Sequence, residues 1–123
     1  MKENKLKIVK IEPNQKPVVK EIENKLSSLQ SEVGGLIQCV YLDDGNIAVI
    51  NEEGKINGSE PNRRIGRDII CGPFFVCGDD GEDFTSLSDT DLEKYKKEFE
   101  QVPKFSGDEP ELEPRIEVWG FNW

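Results

Sequence analysis

The stretch from Leu36 to Ile50 constrains the fold of this chain most. There Leu36-Ile37-Gln38-Cys39-Val40-Tyr41-Leu42 and Asn46-Ile47-Ala48-Val49-Ile50 flank the turn Asp43-Asp44-Gly45. Two short apolar runs around an Asp-Gly pair predict an antiparallel hairpin. A second hairpin is expected at the N-terminus. Leu6-Lys7-Ile8-Val9-Lys10-Ile11 alternates as a strand, Pro13-Asn14-Gln15 turns, and Lys16 to Ile22 returns with Pro17 marking an edge position. Asn24 is placed to cap a short helix with apolar residues Leu26, Leu29 and Val33, and Gly34-Gly35 stops it.

Asn51 to Arg67 reads as a polar loop rich in Gly, Asn and charge. Asp68-Ile69-Ile70-Cys71 and Phe74-Phe75-Val76-Cys77 read as short buried strands interrupted by Gly72-Pro73. Ser88, with Asp91 three residues on, caps a second helix whose apolar face is Leu92, Tyr95 and Phe99 and which Pro103 ends. Lys104 to Pro114 is acidic linker, and Arg115-Ile116-Glu117-Val118-Trp119-Gly120-Phe121-Asn122-Trp123 alternates as a last, aromatic strand. The expected fold is α+β: one domain, an antiparallel sheet of about five to seven short strands, and two helices. Residues 1–102 form its core. Residues 103–123 are a linker and C-terminal strand of the same unit, exchanged with or packed against another subunit.

Composition bounds the function. The chain has 123 residues, 35% of them apolar and 33% charged, which suits one modest core. Its charged N-terminus runs straight into a strand, so no signal peptide is expected and the protein is placed in the cytoplasm. Cys39, Cys71 and Cys77 are odd in number and lie in apolar stretches, the pattern of buried reduced thiols. The net charge of −9 is the balance of residues 79–123 alone, since +3 over residues 1–30 cancels −3 over 31–78. Such a surface repels duplex nucleic acid.

Histidine is absent, which removes the commonest general base and metal ligand together. The three cysteines form no zinc pattern, and no phosphate-loop or nucleophile-elbow motif occurs. The turn Asp79-Asp80-Gly81-Glu82-Asp83 lacks the twelve-residue frame of a calcium loop. The expectation is a binding protein that is not an enzyme and carries neither metal nor cofactor.

Arginine is the positive signal. Three of the four arginines, Arg63, Arg64 and Arg67, lie within five residues and follow Asn62. Guanidinium forks grip phosphate oxygens bidentately, so this segment is a candidate phosphate-binding loop. Its bland alternative is pairing with the acidic surface. Phe74 and Phe75 must point to opposite faces of their strand; one is expected in the core and the other free to stack on a base. Arg115 and Trp119, with Phe121 and Trp123, offer a further cation and aromatics for a ligand or a second subunit.

Several blocks in order resemble a short domain common in phages and integrated mobile elements. They are Asn51-Glu52-Glu53-Gly54-Lys55, Pro61-Asn62-Arg63, Gly72-Pro73-Phe74-Phe75-Val76 and Glu82-Asp83-Phe84-Thr85-Ser86-Leu87. The resemblance spans about residues 5–100, and its members are mostly of unknown function. The aromatic C-terminus is most similar to the anti-Thoeris sponge proteins of phages. That resemblance implies an inhibitor of bacterial TIR-based immunity that sequesters a cyclic ADP-ribose isomer without degrading it. It also implies sites between subunits of a homodimer or larger homo-oligomer, and in related members binding of cyclic oligonucleotides. The competing expectation is an acidic protein-interaction module that imitates DNA for a host or mobile-element protein.

Overall fold

The computed structural model describes residues 3–113. β1 (Lys5–Ile11) and β2 (Val18–Glu23) form the N-terminal hairpin, with Leu6 opposite Ile22 and Val9 opposite Val19. β3 (Ile37–Tyr41) and β4 (Ile47–Asn51) form the second, centred on Cys39 opposite Val49. β7 (Phe74–Asp79) then inserts between the hairpins, antiparallel to β1 on one side and β4 on the other. The order is β2-β1-β7-β4-β3, and β8 (Phe84–Thr85) extends the sheet by pairing with the far end of β7. As Pro17 predicted, β2 is an edge strand.

One helix covers each face. α1 (Leu26–Val33) presses Leu29 and Val33 onto Leu6, Ile8, Val49 and Phe75. α2 (Asp89–Glu98) brings Leu92 and Tyr95, with Phe99 just beyond it, onto Val9, Ile11, Phe74 and Val76. A separate two-stranded sheet, β5 (Pro61–Ile65) with β6 (Asp68–Cys71), contributes Ile70 to the α2-side core. The α+β expectation therefore holds, with six strands in the main sheet, two in the small one and two α-helices among the described residues.

Local chemistry explains the helix ends. Ser88 accepts a hydrogen bond from the Asp91 N–H at 3.1 Å, the expected N-cap. Gly34 ends α1 at φ 81 with its N–H on the Gln30 carbonyl, a conformation costly for any residue with a Cβ. Asn24 is not the cap of α1. Lys25 holds that position without a side-chain bond, while the Asn24 amide donates to the Glu3 carbonyl at 2.8 Å and closes the open end of the first hairpin. Leu26 opens the helix and is exposed rather than part of its buried face. α2 ends at Glu98, ahead of Pro103, with Phe99 as its C-cap.

The segment from Asn51 to Arg67 is not wholly loop, because Asn51 ends β4 and Pro61–Ile65 form β5. Pro and Asn are poor strand formers, and pairing with β6 overrides that preference. Cys71 and Cys77 are buried free thiols, and Cys39 is half-buried. Burial pushes the Cys77 thiol up to about 12. The expected C-terminal strand lies outside the described residues.

Candidate functional site

The expected phosphate loop is built differently from its sequence reading. A register shift between Pro61 and Arg63 turns Asn62 into the interior. Its side-chain amide donates to the Ile11 and Gly72 carbonyls, both at 2.9 Å, and so joins β5 to β1 and to the β6–β7 turn. Arg63 is 3% exposed. Its Nε and Nη2 donate to the Phe99 carbonyl at 3.1 and 3.0 Å, Nη2 also to the Gln15 carbonyl at 2.6 Å, and Nη1 to the Asn62 backbone and side-chain oxygens. Arg63 thus caps the C-terminus of α2, where the helix dipole favours a cation. Burial lowers its pKa, yet a guanidinium keeps its proton throughout the physiological range.

Arg64 faces outward. It pairs with Glu111 of the single 3-10 turn Pro110–Leu112 and lies over the Phe105 ring, 5.9 Å from the centroid. Arg67 is exposed in the β5–β6 turn. Of the clustered cations, one is interior and two are at the surface.

The phenylalanines correct a second expectation. Phe74 and Phe75 do point to opposite faces, but both are 0% exposed. β7 is the central strand with a helix over each face, so both rings belong to cores, and Phe74 meets Phe99 edge-on at 5.5 Å. Neither stands free for a base. Arg115 and Trp119 lie outside the described residues.

A cleft of about 650 Å³ opens between β3 with its turn, β5 and the end of α2. Arg63 lies at its base, Arg64 and Lys94 at its rim, and Tyr41, 71% exposed, on the β3 side. Val40, Ile65 and Val102 supply apolar wall. Asp44 is fastened there by the Lys94 ammonium at 2.6 Å, the Tyr95 hydroxyl at 2.5 Å and Asn46. Burial alone would raise the Asp44 pKa, but these donors hold it well below the carboxylate range. Tyr95 is pushed up by burial and by donating to Asp44. Tyr41 and Lys94 escaped the sequence reading because each is a single residue without a motif. The only signal was a tyrosine at the end of a hairpin strand.

Among the described residues no group of three or more His, Cys, Asp or Glu is placed to hold a metal ion. No helix among them is long and apolar enough to cross a membrane. The model of the family described as Domain of unknown function (DUF3846) matches residues 6–100. No curated protein and no solved structure matches the chain.

Proposed function

We propose that this chain, which belongs to the DUF3846 family, binds a small phosphorylated nucleotide in the cleft between β3, β5 and α2, and holds it unaltered. The observation that carries this reading is the gathering of Arg63, Arg64 and Lys94 on one cleft, which they share with the carboxylates of Asp43, Asp44 and Glu98. At its base sits a guanidinium whose hydrogen bonds all go to neutral carbonyl oxygens, so its positive charge is left to act on an anion in the cleft. Arg64 and Lys94 at the rim are half-exposed and reach phosphate oxygens by exchanging Glu111 and Asp44.

The resemblance to phage sponge proteins supplies the ligand class, a cyclic ADP-ribose isomer, and the role, a phage-encoded inhibitor of TIR-based (Thoeris) immunity in the host bacterial cytoplasm. Sequestration needs affinity and slow release and no catalytic group. Titration calorimetry with purified cyclic ADP-ribose isomers tests it. Micromolar or tighter binding is expected, with the ligand recovered intact after heat release. Arg64→Ala is expected to weaken binding by about 1.5–3 kcal/mol through loss of charge-assisted hydrogen bonds. Absence of heat at micromolar concentrations sinks the reading, and recovery of altered ligand makes the protein an enzyme.

One observation favours a second reading. Asp80, Glu82, Asp89, Glu93, Glu98 and Glu100 are all exposed. An acidic surface of this kind suits a basic protein partner, as a DNA imitation does. It predicts salt-sensitive binding to such a protein that survives Arg64→Ala.

A further inference from the structure

The two edges of the main sheet are built differently. β2 follows Pro17 and carries Lys20, Glu21 and Glu23, which pair with Glu32, Lys5 and Lys25 respectively. A charged edge behind a proline resists the addition of another strand. At the opposite edge, Leu36 to Leu42 contains no charged residue, in a chain where 33% of residues are charged. Leu36 and Tyr41 are exposed along it.

The register shows which groups this edge offers. Glu52 donates to the Leu36 carbonyl at 2.8 Å, and Leu42 donates to the Asn46 carbonyl at 2.9 Å, so the even-numbered residues bond inward to β4. Ile37, Cys39 and Tyr41 therefore aim their N–H and C=O groups outward. Among the described residues no strand takes them up.

We infer that β3 pairs antiparallel with β3 of a second copy of this chain, about a two-fold axis beside Cys39, joining two sheets into one. In that register Ile37 of one copy lies opposite Tyr41 of the other, Leu36 opposite Leu42, and Cys39 opposite Cys39. Asp43 and Asp44 fall opposite Gly35 and Gly34 of the other copy, so no like charges face each other. A net charge of −9 opposes association of two copies through their acidic faces, and this uncharged edge is where that repulsion is least. The pairing does not depend on what the cleft binds.

Native mass spectrometry of the full chain without added nucleotide tests the pairing, and is expected to give twice the 14.0 kDa chain mass. Tyr41→Pro removes an outward N–H and leaves the β4 ladder whole, so a single-chain mass with unchanged circular dichroism is expected. Val19→Pro on the other edge is expected to stay a dimer. A short bis-maleimide is expected to join Cys39 to Cys39, because Cys71 and Cys77 are buried, and Cys39→Ser abolishes the product while leaving the dimer. Burial and Asp79 push the Cys39 thiol up, so the reagent is applied at alkaline pH. A wild-type single-chain mass, a Tyr41→Pro dimer, or a dimer that does not cross-link at Cys39 overturns the inference.

Discussion

Arg63 directs its donors to three carbonyl groups besides its neighbour's side chain, and these belong to the β1–β2 turn, the end of α2 and β5 itself. One side chain thereby ties three segments that are distant in sequence. Arg63→Ala leaves those oxygens in a buried place without donors, and a loss of about 2–4 kcal/mol in urea denaturation is expected. Arg63→Lys is not expected to restore it, because an ammonium lacks the planar fork that reaches both Phe99 and Asn62. Unchanged stability in Arg63→Ala would mean that these bonds do not hold the three segments together. An arginine cluster in a sequence has both meanings, and burial separates them at Arg63 and Arg64.

Among the elements, the crossing from β4 to β5 depends on a close approach. A Cβ built on Gly54 would lie 2.5 Å from the Cys71 carbonyl oxygen, so the loop after β4 can rest on β6 only through a glycine. Gly54→Ala is expected to lower stability by about 1–3 kcal/mol, since backbone must move to admit the methyl group. Gly58→Ala, in open space at φ +78, is expected to cost about 1 kcal/mol of backbone strain. Thermal melts of the two variants compare these causes directly. Gly54 has no left-handed φ, so its loss measures the contact with β6, and an unchanged melt for Gly54→Ala would mean that the contact does not matter.

Across the whole molecule, two carboxylates fasten elements together and make the fold sensitive to acid. Asp44 ties the β3–β4 turn to α2, and Glu32 of α1 pairs with Lys10 of β1 and Lys20 of β2. Burial alone would raise the pKa of each, but hydrogen bonds from these cations lower both below their ordinary values of 3.8 and 4.5. A carboxylate with a depressed folded-state pKa contributes its full stability above its unfolded value and loses it as pH falls towards the folded one. The urea midpoint is therefore expected to be level above about pH 5 and to fall steadily below it. Asp44→Asn combined with Glu32→Gln is expected to flatten that fall, and an undiminished slope would assign the acid sensitivity to other groups. Much of this architecture was legible beforehand. Both hairpins, both helices and the Ser88 and Gly34 caps follow from alternation, 3.6-residue spacing and turn chemistry, which act between near neighbours. The central place of β7 was half-legible. The unbroken apolar run Phe74–Cys77 signals burial on both faces, yet only a sheet with a helix on each side shows that neither phenylalanine is spare. β5, the interior roles of Asn62 and Arg63, and the cleft with Tyr41 and Lys94 depend on residues dozens of positions apart. By itself the sequence determined the local elements and the acidic, histidine-free chemistry. Tertiary structure alone decided which cations are buried and which are exposed, because burial is a property of the packed layers and not of any segment within them.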